Sequence, residues 1–195
     1  MKKALVVLAL IGFCTASSQD AMAKPAKSSN PGIGFNRLGV ELGLVDPEAG
    51  GSTVGFGAFA DLGNISRDVK LSSHLGYWSK SEEDFGAEAT IRDISIGARA
   101  KYMFHVASRK LQPYVGGGLG LHFFHAKIVV PEEDMGGGFI MPGFTAEDSM
   151  TKLGIDLGGG ALKPLNPKTD LFVDLWYTLA DIDQLSMRAG VSFKL

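Results

Sequence analysis

From residue 33 to the C-terminus, apolar and polar residues alternate with a period of two in eight separate runs. In the first run, Leu38, Val40 and Leu42 alternate with Gly39 and Glu41. This alternation predicts β-strands that have one apolar face and one polar face. No segment of useful length shows helical periodicity, so the domain is predicted to be all-β. The eight predicted strands lie within residues 37–44, 54–62, 69–80, 94–104, 115–123, 152–161, 170–179 and 185–195.

Each run has roughly ten residues, which is the length that a tilted transmembrane β-strand needs to cross a bilayer. The sequence therefore predicts an eight-stranded antiparallel up-and-down transmembrane β-barrel over residues 33–195. A soluble lipocalin-type barrel would show the same alternation, with its apolar face turned inward around a ligand. Alternation alone leaves both architectures open.

The links between the runs favour the membrane barrel. If the first strand starts in the periplasm, the lower links are short and the upper link Lys127–Met150 is long, as is typical of outer-membrane barrels. The upper links are rich in Asp and Glu, whereas the lower links hold mainly Lys and Arg. The short lower links are Gly63–Asp68, His105–Lys110 and Lys163–Lys168. Aromatic residues fall near both rims, as in interfacial girdles: Tyr77, Phe123 and Tyr177 above, and Tyr102, Phe104 and Phe193 below.

Residues 1–23 have the pattern of a cleaved secretory signal peptide. Lys2 and Lys3 precede an apolar run from Ala4 to Cys14, and Ala21-Met22-Ala23 supplies the small residues of a cleavage site. The apolar run is about half the ~20 residues that a transmembrane helix needs. Residues 24–32 combine Pro, Ser and Gly without periodicity and are predicted to form a flexible tail.

Composition narrows the function classes. The chain has 195 residues, of which 45% are hydrophobic and 21% charged, so it has enough apolar surface for a folded domain. Its formal net charge of −2 provides no basic surface for nucleic acid. The single cysteine lies in the predicted signal peptide, so no disulfide is expected in the exported protein.

Two segments resemble a known family. They are the glycine-rich strand Pro113–Leu121 and the terminal segment Met187–Leu195. With them, residues 33–195 resemble the OmpA/OmpX-like outer-membrane β-barrel superfamily, which includes opacity-type surface proteins. The terminal segment resembles the signal read by the barrel-assembly machinery, although here the aromatic is Phe193 and the last residue is Leu195. The resemblance implies a monomer in bacterial outer-membrane lipid, inserted by that machinery.

Charged residues on the polar faces are predicted to lie inside the barrel. An eight-stranded barrel is just wide enough for side chains to fill its interior, and buried charges must be compensated by opposite charges. We therefore predict a lumen charge network and no open pore. Its members are Arg37, Glu41, Asp61, Lys70, Arg99, Lys101, Asp156, Asp174 and Arg188.

The sequence offers little catalytic or cofactor chemistry. His122 and His125 are close in sequence, but residues three apart on a strand point to opposite faces, which argues against a metal site. The triple glycines 116–118 and 158–160 lack the Lys-Ser/Thr of a phosphate-binding loop and are interpreted as glycines that make room in the lumen. Lipid A deacylases place a His and a Ser two positions apart, and no His-x-Ser occurs here. We expect neither an enzyme nor a cofactor.

The long upper link is the predicted interaction site. Its acidic half can attract cations or a basic partner, and its apolar half can cover the barrel mouth or contact a hydrophobic surface. The predicted function is envelope integrity and surface interaction with an extracellular partner. Binding or passage of a small hydrophobic molecule is the alternative, and a lipid-editing enzyme is less favoured. The residues of the predicted site are Glu132, Glu133, Asp134, Phe139, Ile140, Met141 and Phe144.

Overall fold

The computed structural model describes residues 32–48, 50–84, 86–106, 111–134 and 140–195. The signal peptide and tail predicted over residues 1–32 lie outside this part, except for Gly32. The strands are β1 (Gly32–Pro47), β2 (Thr53–Asn64), β3 (Val69–Asp84), β4 (Ala87–Met103), β5 (Gln112–Val130), β6 (Glu133–Asp134), β7 (Ile140–Met141), β8 (Phe144–Asn166), β9 (Thr169–Leu179) and β10 (Gln184–Lys194). No helix in the described part of the chain is long and apolar enough to cross a membrane.

The long strands form a closed antiparallel barrel in the order β1-β10-β9-β8-β5-β4-β3-β2. Strand β5 pairs directly with β8, because β6 and β7 pair only with each other and form a small ribbon in the link between them. The ring is closed by β1 and β10, which pair from Arg37 to Pro47 on the β1 side. The predicted eight-stranded up-and-down barrel is confirmed.

The alternation of the sequence sorts side chains between the lumen and the outer wall. Leu121 is 44% exposed on the outside, whereas the next residue, His122, is 2% exposed inside. On β8, Asp156 is 1% exposed and its neighbour Leu157 is 51% exposed. The barrel therefore turns its apolar face outward, which is the opposite of a soluble lipocalin-type barrel and suits a lipid environment.

Aromatic side chains cluster near both rims of this apolar wall. The rings of Phe56 and Tyr77 lie 5.1 Å apart towards the upper rim, where Tyr77 and Phe123 both pair with Ile94. At the lower rim, the rings of Tyr102 and Phe104 lie 5.2 Å apart in an edge-to-face arrangement. Such girdles mark the two water interfaces of an outer-membrane barrel.

The upper links are shorter than the sequence suggested. The predicted link Lys127–Met150 is wrong in extent, because β5 continues to Val130 and β8 begins at Phe144. The β3–β4 link is likewise reduced to residues 85 and 86. Above the girdle the outer face of the wall meets water instead of lipid, so the apolar outward positions that marked the strands lower down are mostly polar here, while backbone pairing continues.

The strands rise to different heights as a result. Strands β3, β4, β5 and β8 have 16, 17, 19 and 23 residues, whereas β2, β9 and β10 have 12, 11 and 11. Strand β1 also has 16 residues, but its upper end, Pro47, pairs with Gln184 at the start of β10. One side of the wall therefore stands above the other. We call this part the raised sheet and define it by its register as Ser79–Asp84, Ala87–Arg92, His125–Val130 and Phe144–Ser149.

Candidate functional site

The upper end of the lumen is filled by apolar side chains. Val45, Trp78 and Phe124 are between 0% and 4% exposed, and Ile91 and Ile182 pack against them. The indole nitrogen of Trp78 donates a 2.8 Å hydrogen bond to the side-chain oxygen of Gln184, which satisfies the buried N–H group. This cluster closes the mouth of the barrel.

Below this cluster lies a buried ion pair between Arg99 and Asp156. The Arg99 Nε donates to Asp156 Oδ2 over 2.8 Å, and Thr178 Oγ1 donates to Asp156 Oδ1 over 2.6 Å. His74 Nε2 lies 3.7 Å from the same carboxylate. The Arg99 guanidinium also stacks over the ring of Trp176, 4.3 Å from its centroid. Paired and hydrogen-bonded in this way, both charges can remain in the barrel interior.

Two further polar contacts occupy the same layer. Arg188 forms an ion pair with Glu41 across the seam between β10 and β1. Asp93, which is fully buried, contacts His122 Nδ1 over 2.8 Å. Gln184 links this contact to Trp78 above. The middle of the lumen is therefore a polar layer that joins most of the strands.

The lower end of the lumen centres on Lys101. Its ammonium lies 5.0 Å from the centroid of the Tyr114 ring, 5.3 Å from that of Phe59 and 5.8 Å from that of Trp176. Tyr114 in turn donates a 2.9 Å hydrogen bond to Asp174. Contacts between a cation and aromatic faces stabilise the charge where it is screened from water.

A small cavity lies beneath these rings. Arg37 pairs with Asp170 at 2.5 Å, and Lys70 lies 3.9 Å from Asp61. The cavity that Arg37, Asp61, Lys70 and Lys101 help to line has a volume of about 40 Å³. A space of this size holds a few water molecules at most.

Glycines on the strand faces make room for these large side chains. A Cβ on Gly118 would lie 2.4 Å from the Ala98 carbonyl oxygen and 2.7 Å from the Arg99 side chain. A Cβ on Gly158 would lie 2.7 Å from the Trp176 ring. Without these glycines, Arg99 and Trp176 could not lie flat against the wall.

The structure places all nine residues of the predicted charge network on the lumen side. It brings together Arg99 with Asp156, Arg188 with Glu41, and Lys70 with Asp61. The other three have partners outside the predicted set, namely Asp170 for Arg37, aromatic rings for Lys101 and Tyr114 for Asp174. The predicted charge network left out four buried lumen residues: His74, His122 and Asp170, which the alternation places on the polar face, and Asp93.

The predicted interaction site lies at the top of the β5–β8 hairpin. Strands β6 and β7 pair Glu133 with Met141 and Asp134 with Ile140, which brings the acidic and apolar halves of the link together. Glu132 is exposed, and Met141 and Phe144 are 51% and 58% exposed. Phe139 lies outside the described residues.

The outer side of this hairpin carries a solvent-exposed ion pair. Lys127 Nζ lies 2.9 Å from Glu147 Oε1. The hydrogen bond from Lys127, together with its positive charge, lowers the pKa of the Glu147 carboxyl. Because both side chains are exposed, the pair contributes little to stability. Both groups are charged at neutral pH, so the outer side of the hairpin is polar.

His122 and His125 do not converge on a metal site. His122 points into the lumen, whereas His125 contacts Ser149 over 2.8 Å on the exposed side of β5. Within the part of the chain that the structure describes, no three His, Cys, Asp or Glu side chains are placed to hold a metal ion.

Comparison with known proteins agrees with this architecture. The family model for the outer membrane protein beta-barrel domain matches residues 6–194. The chain belongs to this family. Members of the outer membrane protein beta-barrel family are bacterial outer-membrane proteins, which gives the chain its general place in the cell. No curated protein matches the chain.

Several solved outer-membrane barrels share the fold. Neisserial surface protein A (NspA) is 20% identical, with a TM-score of 0.60 over 84% of this chain and 99% of that one. A major outer membrane protein from Thermus thermophilus is 14% identical, with a TM-score of 0.58 over 82% and 98%. The attachment invasion locus protein Ail of Yersinia pestis, in complex with the heparin analogue sucrose octasulfate, is 13% identical, with a TM-score of 0.54 over 83% and 100%.

Proposed function

We propose that this protein is an outer-membrane surface protein whose filled barrel supports a raised contact surface and contributes to envelope integrity. The observation that carries the proposal is the unequal height of the wall, in which β3, β4, β5 and β8 continue above the level at which the neighbouring strands end. Surface segments held in place by a rigid scaffold are the parts of a fold that most often carry binding.

The edges of the raised sheet support a role in contact. From Phe144 to Gly154, β8 pairs with β5 on one side and has no partner strand among the described residues on the other, since pairing with β9 begins at Ile155. An unpaired strand edge offers N–H and C=O groups to the backbone of another chain. The raised sheet can therefore bind a partner through its backbone as well as its side chains.

The same proposal includes the way the protein reaches and occupies the membrane. A cleaved signal peptide over residues 1–23 would export the chain, and the barrel-assembly machinery would recognise the terminal strand. The outward apolar side chains of the barrel, such as Leu42 at 60% and Leu153 at 64% exposure, suit contact with outer-membrane lipid. We infer that the protein occupies the membrane as a monomer.

The alternatives find less support. Passage of a small hydrophobic molecule requires a continuous route, but apolar clusters lie at both ends of the lumen and the cavity between the lower charges measures about 40 Å³. A lipid-editing enzyme requires a nucleophile and a base near the outer rim, and the sequence lacks the His-x-Ser pattern of the deacylases. The Ail structure contains a sulfated heparin analogue. The acidic hairpins of this chain would repel such a polyanion.

Replacement of residues 127–147 by a short Gly-Ser linker, which removes the upper part of the β5–β8 hairpin together with its tip, tests the surface role. The barrel should still assemble and show a heat-dependent shift in gel mobility, because all eight barrel strands remain. Adhesion of the cells to host surfaces, or their resistance to detergent, should fall. Cells expressing the unchanged protein at the same level are the control. Unchanged adhesion and unchanged detergent resistance would contradict the proposal and favour a purely structural barrel.

A further inference from the structure

The raised sheet continues the inner face of the barrel, and that face is apolar on its two central strands. Ile91 packs on the upper apolar cluster, so Ala89 and Ala87 follow it on the inner face of β4. On β5 the buried Phe124 likewise shows which residues face inward. The inner residues of the two strands are Ala87, Ala89, Ile91, Ala126, Ile128 and Val130.

This apolar face is uncovered. The opposite wall is lower, because β1 ends at Pro47 and β9 ends at Leu179, so no described strand faces the raised sheet. Ile128 is 45% exposed and Phe144, which pairs with Val130, is 58% exposed. A sheet face of this composition normally packs against another element. Its exposure above a membrane marks it as a contact surface.

The outer face of the same sheet has the opposite character. Arg92 pairs with His125, and Thr90 pairs with Lys127, which binds Glu147. These side chains are polar or charged and suit water. The raised sheet is therefore amphipathic, and only its inner face requires a partner.

Carboxylates flank the apolar face on both sides. Glu82 and Asp84 lie on the inner face of β3, and Asp148 lies on that of β8. Lys80 also lies on the inner face of β3, but its ammonium is 3.0 Å from a carboxylate oxygen of Glu82, which already compensates its charge. Over residues 79–92 and 125–149 the sequence has nine acidic residues against three Lys and Arg. A partner that fits this surface carries positive charge beside its apolar groups.

The shape of the surface selects a polypeptide over a small molecule. Each strand of the raised sheet contributes about six residues, which gives a flat, open face roughly 20 Å long. Small ligands are held in enclosed pockets that cover most of their surface. An extended or helical segment with one apolar side can cover a flat face of this length.

We propose that the inner face of the raised sheet is a docking surface for a cationic polypeptide segment with one apolar side. Apolar side chains of the partner pack on Ile128 and Phe144, and its Lys or Arg residues pair with Asp84 and Asp148. The inference rests on the proposed role of the raised sheet in surface contact, and it specifies the chemistry of the partner.

Binding of two synthetic peptides to the full barrel in zwitterionic nanodiscs tests the inference. One peptide alternates Lys with Val and the other alternates Glu with Val; both carry a fluorophore, and anisotropy measures binding against empty nanodiscs. The Lys/Val peptide should bind, and more weakly as salt is raised, whereas the Glu/Val peptide should not. The double variant Ile128→Ser/Phe144→Ser should weaken binding by about tenfold or more, because two apolar contacts are lost.

Matched variants keep the outcome interpretable. Val129→Ser, on the outer face beside Ile128, should leave binding of the Lys/Val peptide unchanged. Asp84→Asn/Asp148→Asn should weaken binding and reduce its dependence on salt. A heat-dependent mobility shift in every variant shows that the barrel is folded. Equal binding of the two peptides, or an equal loss with Val129→Ser and with Ile128→Ser/Phe144→Ser, would overturn the inference.

The two proposals can fail separately. If neither peptide binds but the linker variant at residues 127–147 still lowers adhesion or detergent resistance, the docking surface is wrong and the surface role stands. If neither peptide binds and the linker variant behaves like the unchanged protein, both the docking surface and the surface role are wrong.

Discussion

Replacement of Asp156 by Ala is expected to lower the free energy of unfolding of the barrel by about 3–5 kcal/mol. The Asp156 carboxylate accepts hydrogen bonds from Arg99 and Thr178, and it is 1% exposed. Its removal leaves the Arg99 guanidinium buried without a counter-charge, in a lumen whose upper mouth is closed by the Trp78 cluster. A buried unpaired charge is among the most destabilising changes that one substitution can cause.

Urea unfolding of the purified protein in lipid vesicles, followed by tryptophan fluorescence and gel mobility, measures the effect. Glu147→Gln is the control, because it also removes a carboxylate from an ion pair, with Lys127, but at an exposed position where no measurable change is expected. Equal stability of Asp156→Ala and the unchanged protein would show that the polar layer does not hold the barrel together.

Replacement of Leu121 by Arg is expected to cost about 2–4 kcal/mol, because its side chain faces lipid near the middle of the membrane. Leu121 is 44% exposed on the outer wall, between Ile96 and Leu153 on the adjacent strands. An Arg here would place its charge in hydrocarbon. The same unfolding titration measures the loss.

The neighbouring glycine supplies the matched control. A Cβ on Gly120 would lie 3.4 Å from His122 Nε2, which is an ordinary contact distance, so Gly120→Ser should fold normally. If Leu121→Arg folded as well as the unchanged protein and Gly120→Ser did not, the assignment of the two faces would be reversed.

The fold could be read from the sequence because lipid and the narrow lumen impose opposite demands on alternate residues. The pair Leu121 and His122 shows this, since one faces outward and the other is buried inside. A period-two pattern this regular identifies the strands and sorts their residues between two faces. Whether the apolar face points outward or inward could be decided only with the link lengths, the aromatic positions and the charges as further evidence.

The raised sheet could not be read in the same way. Above the membrane the outer face needs to be polar and the inner face loses its opposite wall, so Lys127, Ile128 and Val129 no longer show the contrast of a membrane strand. Their pairing with Glu147, Ala146 and Thr145 is set by the backbone register, which starts lower in the barrel. The sequence consequently suggested a long loop where the hairpin continues.

The sequence also could not predict which side chains in the lumen pair with one another. Alternation shows that Asp93 and His122 face inward, but their 2.8 Å contact depends on the register between β4 and β5. Similarly, Arg37 lies near Asp61 in the β1–β2 register yet forms its ion pair with Asp170 of β9. Contacts across a closed lumen join strands that are far apart in sequence, so composition and spacing cannot identify them.

We propose that the lumen is filled and that the protein therefore acts through its surface and not as a pore. Planar-bilayer recording of the folded, heat-modifiable protein tests this most directly. The apolar cluster around Trp78, the Arg99–Asp156 pair and the aromatic rings around Lys101 follow one another down the barrel axis. We expect no large, steady, porin-like conductance. Stable channels of that kind, present with the purified protein and absent from protein-free bilayers, would contradict the claim.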